Sequence, residues 1–340
     1  MGNVLRVSKD SVYFISEIGL NHNGDFFLAK NLIDISITAK ASAVKFQKRD
    51  VNRMFINSIL NQPFDRFPAL GTTVREVRQS LELSKEVYTE LRNYCRDKID
   101  FIVTPFDIPS LEFLDDLDLD AFKIASHNNT DIPLLKELNL RGKPVIVSVG
   151  MCSRNEVERL INTLKDVELT LLYCVSSYPV NSDDVNLNMI QWLKHYGCRV
   201  GYSDHEDGFM FAPVAVALGA EVIEKHITLD KNMKGFDHHM SLDPTQLIQC
   251  VRSVNLVKSS LLKPADKQLQ PCEIHMFDNR RYSIYAACDI KCGTKLQKEM
   301  LAVKAPLKGL TPRFFEKLIG VETLYDLKED DPITFGVVNL

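Results

Sequence analysis

Eight short runs rich in β-branched and aromatic residues recur through the first 230 residues of the chain, and longer amphipathic stretches separate them. The runs are VYFISEIGL (12–20), AVKFQ (43–47), DFIVTPF (100–106), AFKIAS (121–126), PVIVSVG (144–150), LTLLYCVSS (169–177), CRVGYSD (198–204) and EVIEKHITL (221–229). Between them FFLAKNLIDISITAK, KEVYTELRNYCRDK, IPSLEFLDDL and SRNEVERLINTLKD carry apolar residues at helical spacing. Strands that read as near-continuous apolar runs belong to parallel sheets covered on both faces. Eight such units in succession predict an α/β chain built as a (β/α)8, or TIM, barrel. A doubly wound open sheet is the competing arrangement, but no GxGxxG turn follows the first run.

In a barrel of this kind the chemistry sits at the carboxyl ends of the strands. Polar residues stand at those ends: Glu17, Lys45 with Gln47, Thr104, Lys123 with Ser126, Ser148, Ser176, Ser203 with His205, and Glu224 with His226. A charge inside an apolar strand is costly unless it is paired or faces a polar cavity, so Lys45 and Lys123 need partners. An anionic substrate group would supply one. Salt bridges to Glu17 or Glu224 are the plainer alternative. His205 and His226 each follow a β-rich run, with Ser203 and Glu224 two positions ahead of them. Two imidazoles from separate strand ends could hold one hard-to-borderline divalent metal, with substrate oxygens or water completing the shell. Taken singly, each is as readily a satisfied core histidine; their matched placement favours the metal.

The stretch RDVNRMFINSILNQPFDRFPALGTTVREVRQS, after the second run, reads as a long polar loop, and such loops are often lids. After the eighth run DPTQLIQCVRSVNLVKSSLL reads as a helix and KPADKQLQPCE as a linker. From Ile274 the texture becomes short β runs with turn signals. The expected division is a barrel over 1–262, a linker over 263–273 and a small second domain over 274–340.

A formal net charge of -4 with 25% charged residues gives none of the basic excess that duplex binding needs, so nucleic acid is not an expected partner. No apolar run is long enough to span a membrane, and the start, MGNVLRVSKD, has no apolar signal core. Arg6 stands where a myristoylation pattern wants Ser or Thr. The eight cysteines form no CxxC pair, and Cys95, Cys174 and Cys250 lie in apolar sequence, which predicts reduced thiols in a cytoplasmic protein.

FISEIGLNHNGDFFLAKNLIDISITAKASAVKFQ, VTPFDIPSLEFL, FKIAS, YCVSSYP, GYSDH, VIEKH and KGFDHHMSL, in that order, resemble the sialic acid synthase family. Its members condense phosphoenolpyruvate with an N-acetylated hexose. The tail, with SIYAACDIKCGTKL, is similar to the antifreeze-like (SAF, β-clip) domain that follows the barrel in that family. The resemblance implies a homodimer in which the small domain of one subunit reaches over the barrel mouth of the other. It implies that Lys45, Lys123, Ser126, Ser176 and Ser203 hold the phosphate and carboxylate of phosphoenolpyruvate, and that His205 and His226 ligate manganese or magnesium. Glu17, Gln47, Tyr178 and Asp237 match positions that contact the sugar hydroxyls or water, and Glu224 joins Glu17 and Asp237 as an acid/base candidate. The implied acceptor is N-acetylmannosamine, its 6-phosphate or a diacetamido hexose. One departure stands out: VKAPLKGL replaces a KRPG-like turn, so Ala305 occupies an arginine position, and Lys304 or Lys308 would have to substitute. The alternatives are a non-catalytic sugar-binding or assembly protein on a retired barrel, and an aldolase using Lys123 as a Schiff base.

Overall fold

The computed structural model describes residues 10–263 and 265–340; Arg6 and the start of the chain lie outside them. The chain divides into two compact units, the first ending at Lys263. The first is a closed barrel of eight parallel strands in sequence order: β1 (Tyr13–Gly19), β2 (Ala43–Lys48), β3 (Asp100–Pro105), β4 (Ala121–Ile124), β5 (Val145–Ser148), β6 (Leu169–Cys174), β7 (Arg199–Asp204) and β8 (Val222–His226). Strand β1 pairs with β8 as well as β2, so no edge is left open. The eight β-rich runs therefore form the eight strands. Strands β4, β5, β6 and β8 end two or three residues before their runs do.

Helices α1 (Phe26–Thr38), α2 (Val51–Met54), α3 (Asn57–Leu60), α4 (Val74–Ser80), α5 (Lys85–Cys95), α6 (Ile108–Leu114), α7 (Ile132–Arg141), α8 (Arg154–Thr163), α9 (Met189–Lys194), α10 (Phe211–Ala217) and α11 (Pro244–Ser260) complete this unit. Their starts are written locally: Asp25, Asp107 and Asp131 each accept from a backbone N–H in the first turn, and Asp243 with Gln246 closes a capping box on α11. The outward strand faces, such as Phe14, Val44, Phe101 and Tyr202, pack under these helices in one large apolar core. The segment expected as a long loop after β2 instead folds into α2, α3 and α4. Its helices were hidden from the sequence because two of them are a single turn long.

The inward faces form a second, smaller core of Tyr13, Ile15, Ala43, Ile102, Ala121, Ile146, Leu172 and Val222. Seven strands contribute to this floor. The eighth, β7, contributes Gly201, where a Cβ would come within 2.2 Å of the Val222 carbonyl and 2.6 Å of the Leu172 side chain. The floor is filled, and β7 can pass only by presenting no side chain there.

The second unit opens with a helix, α12 (Ile274–Arg280), where short β runs were expected. Strands β9 (Ser283–Ala286) and β10 (Leu301–Lys304) then pair antiparallel. Isolated bridges such as Ile290 with Leu327 and Thr323 with Val338 join its loops, over a core including Ile284, Leu296, Leu310 and Ile333. Lys304 is ion-paired with Asp330 of the same unit. A short helix, α13 (Phe315–Leu318), buries Leu318 in this core.

Gly201→Ala is expected to overpack the barrel floor, costing about 1–3 kcal/mol. Thermal melting followed by circular dichroism measures it; an unchanged melting temperature would show that the floor has room.

Candidate active site

Side chains of a strand alternate between its two faces, so every second residue of β1 to β8 points inward. Two steps past the apolar floor, the inward residues are Glu17, Lys45, Thr104, Lys123, Ser148, Cys174, Ser203 and Glu224. Two steps further come Gly19, Gln47, Phe106, Ala125, Gly150, Ser176, His205 and His226. A third repetition reaches Arg49, His127 and Tyr178. Apart from Thr104, Gly19 and Gly150, all of these line one cavity of about 430 Å3, joined by Asp237, Phe236, Met54, Phe55 and Arg78 from the surrounding helices and loops. Each of the twelve residues singled out above as site candidates stands on this cavity wall. Residues missed by the sequence reading do too.

The lowest polar tier is a compensated charge network. The Lys45 ammonium lies 2.8 Å from Glu17 Oε2 and 3.9 Å from Glu224 Oε2, and it donates to Thr104. The Lys123 ammonium lies 3.6 Å from Glu224 Oε1 and donates to Ser148 and to the Ile124 carbonyl. Both lysines therefore have the carboxylate partners of the plainer reading, and both still face the cavity. Burial alone would lower either ammonium; Glu17 and Glu224 outweigh it at Lys45 and raise its pKa, while at Lys123 burial prevails and the pKa falls. Burial pushes Glu17 up. At Glu224 the two lysines and the Ser203 hydroxyl, which donates at 2.9 Å, overcome burial and hold the carboxylate down.

Above this tier, three groups form a concave donor wall. The Gly150 N–H donates to Ser126 Oγ. A Cβ at Gly150 would sit 2.6 Å from Ser176 Oγ and 2.7 Å from Ser126 Oγ, so only glycine leaves the two hydroxyls open to the cavity. Cys174 is buried, but not in the apolar surroundings expected of it. Its sulfur lies 3.9 Å from Ser176 Oγ and 3.7 Å from His205 Nδ1.

His205 and His226 stand side by side, with ring centroids 5.5 Å apart and Tyr178 packed against both. His205 Nδ1 is 3.0 Å from the Val175 carbonyl. A carbonyl only accepts, so this nitrogen carries the proton, and Nε2 keeps a lone pair in the neutral ring; burial opposes the charged form, but the Cys174 sulfur and the Val175 carbonyl outweigh it and raise the imidazole's pKa. His226 Nδ1 is buried without a hydrogen-bond partner and lies 3.8 Å from Asp237 Oδ2. Burial holds this imidazole down at about 3, so it is neutral, as a metal ligand must be. Among the described residues no three His, Cys, Asp or Glu side chains converge on one point. The pair thus fits an ion that draws its remaining ligands from substrate and water.

Further up, Gln47 donates to Glu17 at 2.6 Å and accepts from Arg49. The Arg49 guanidinium lies over the Phe106 ring, which stacks on His127. Arg78, from α4, lies over Phe236, and Phe236 packs against Phe64 and Phe67. The β2–α5 insertion is thereby seated on the loop after β8 and walls the cavity. Arg49 continues the two-residue step of Lys45 and Gln47, and that periodicity could have found it. Nothing in the sequence signals Arg78.

A model of the NeuB family matches residues 32–265, and a SAF domain model matches residues 281–336. N-acetylneuraminate-9-phosphate synthase of Homo sapiens is 37% identical over 333 residues, covering 96% of this chain and 92% of the human one. N,N'-diacetyllegionaminic acid synthase of Campylobacter jejuni is 36% identical over 330 residues, covering 94% and 98%. Among solved structures, N-acetylneuraminic acid synthetase of Leptospira borgpetersenii in complex with citrate aligns with a TM-score of 0.70 and 34% identity, over 81% of this chain and 93% of that one.

Glu224→Leu removes the carboxylate that Lys45 and Lys123 share and is expected to destabilise the fold by about 3–5 kcal/mol. Chemical denaturation measures it; a loss below about 1 kcal/mol would mean that solvent, not Glu224, compensates the lysines.

Proposed function

We propose, for a chain that belongs to the NeuB family and carries a SAF domain, the condensation of phosphoenolpyruvate with an open-chain N-acylated hexose to give a nonulosonic acid and phosphate. Similarity to sialic and legionaminic acid synthases over almost the whole chain supports an enzyme of this kind. The observation that carries the finer reading is the vertical order of the cavity: ammonium and hydroxyl donors at the bottom, two imidazoles above them and hydrogen-bonding side chains above those.

Phosphoenolpyruvate carries a carboxylate and a phosphate, and the lower donors suit both. Lys45, Lys123, Ser126, Ser176 and Ser203 bind and orient it, each an N–H or O–H donor to anionic oxygen. Glu17 and Glu224 keep the two ammoniums charged while the site is empty, and an incoming anion competes with them for the same protons. A manganese or magnesium ion held by His205 and His226 would act as a Lewis acid on the acceptor aldehyde, drawing charge from it as carbon–carbon bond formation proceeds. Gln47, Tyr178 and Asp237 contact the sugar hydroxyls and fix the aldehyde carbon over the enol methylene.

Carbon 3 of the enol attacks the aldehyde carbon, and its oxygen takes up a proton. The electron deficit at carbon 2 is met by water, which loses a proton. The bond from carbon 2 to the phosphate oxygen then breaks, giving a 2-keto-3-deoxy acid and inorganic phosphate. One proton is gained and one lost, so a single carboxyl group can serve both steps. Glu17 is our choice for that role, because Gln47 links it to the sugar tier, whereas Glu224 is tied to Ser203 and both lysines. Asp237, beside His226, is placed to orient the water. A homodimer in the cytoplasm is the setting that goes with this reading; among the described residues no helix is long and apolar enough to cross a membrane.

Phosphate release from phosphoenolpyruvate is expected with an N-acylated hexose, and stripping divalent metal with a chelator should abolish it until manganese or magnesium is restored. His226→Ala should lower kcat/KM by more than about 100-fold, since even outer partners of a metal are worth roughly 10–100-fold. Tight phosphoenolpyruvate binding without turnover for any acceptor, in metal-replete protein, would instead support a retired barrel. Sedimentation is expected to give twice the mass of one chain.

A further inference from the structure

His205 and His226 come from neighbouring strands, but the strand ladder fixes the position of one of them alone. His226 is the last residue of β8, whereas β7 ends at Asp204, one residue short of His205. The polar contacts of His205 run to the β6 side: its Nδ1 meets the Val175 carbonyl, and its own carbonyl accepts from the Val180 N–H at 3.0 Å. Its link to β8 lies on the outward face of the sheet, away from the cavity. Asp204 and Lys225 are register partners, each one residue before a histidine. Their side chains pair at 3.0 Å, and each residue is 1% exposed.

The Lys225 ammonium does more than neutralise Asp204, because it also donates to the Glu206 carbonyl. Asp204 Oδ1 accepts from the Glu206 N–H at 2.9 Å and from the Tyr202 hydroxyl at 3.2 Å, while Oδ2 faces the ammonium. The residues on both sides of His205 are thus gathered onto one side chain of the strand that carries His226. Glu206 extends the grip, since its carboxylate accepts from the Phe211 N–H at the start of α10. The outward residues around the pair, Val200 and Tyr202 on β7 and Ile223 beside Lys225 on β8, belong to the apolar core. A buried ion pair in such a layer adds little stability over apolar side chains of similar size, so its presence calls for another reason.

We infer that Asp204 and Lys225 are positioning residues: a staple behind the sheet that holds the turn carrying His205 to the strand carrying His226, and so sets the spacing and facing of the two imidazoles offered to a divalent cation. With the pair formed, the ring centroids are 5.5 Å apart. A turn already held in place loses little freedom when an ion binds, whereas a loose one must be ordered by the ion itself, which weakens binding. The inference rests on the metal-dependent synthase reading and adds to it two residues that do not line the cavity.

The test combines Asp204→Asn with Lys225→Met, which removes both charges yet keeps an oxygen for the Glu206 N–H; replacing both members of a buried pair is often neutral for stability. In a double variant that melts like the wild type, the dissociation constant for manganese, read from the electron paramagnetic resonance signal of the free ion, is expected to rise about 10- to 100-fold, as for other partners behind metal ligands. Calorimetric titration with phosphoenolpyruvate should be unchanged, because its lysines stand on β2 and β4. Manganese binding as tight as in the wild type, or phosphoenolpyruvate binding weakened as much as manganese binding, overturns the staple. Where the double variant does not fold, Asp204→Asn alone decides, since a buried ammonium can shed its proton. It should weaken manganese binding and spare phosphoenolpyruvate; unchanged manganese binding refutes the staple. A wild type that binds no manganese, or no phosphoenolpyruvate, fails the synthase reading rather than the staple, and crystal structures of the wild type and the folded variant then decide. Imidazoles displaced from their wild-type spacing support the staple, and an unmoved pair refutes it.

Discussion

A closed barrel can carry charge in its interior only where opposite charges meet, and the Lys45–Glu17 and Lys123–Glu224 pairs are where this chain meets that condition. Dehydrating an ion costs several kcal/mol, and a well-packed apolar layer would be as stable or more so. The network is therefore not there to hold the barrel together; the filled floor beneath it already does that. It keeps two buried ammonium groups on the cavity wall, each with a carboxylate partner. Ser176, His205 and His226 are then placed by counting two residues up from this tier, at Cys174, Ser203 and Glu224.

Much of this could be read from the residues. Alternation on a strand is local, so the β-rich runs gave the barrel, and the polar residues at their ends gave the lysines, serines and histidines. The same two-residue step could have found Arg49 and His127, but both lie past the last strand residue, where the side-chain alternation is no longer guaranteed by a ladder. What the sequence could not show depends on contacts between distant segments. Arg78 reaches the cavity because Phe64 and Phe67 seat its insertion on Phe236, well over a hundred residues away along the chain. Cys174 looked like a core thiol because its neighbours in sequence are apolar; the strand turns it inward beside His205. The helix at Ile274–Arg280 was masked by the β-rich stretch that follows it.

Ala305 stands in the unit that matches the SAF model, where the resemblance implies an arginine. Lys304, one of the two lysines put forward to replace it, is already engaged by Asp330. The barrel, meanwhile, carries two guanidiniums, Arg49 and Arg78, on its own cavity wall.

Gly201 and the eight packed inward side chains below the lysines have a further consequence. They make the cavity blind at one end, like a well. A ligand seated at the level of the two imidazoles would stopper the shaft. Whatever occupies the level of the lysines must then enter before that ligand and leave after it.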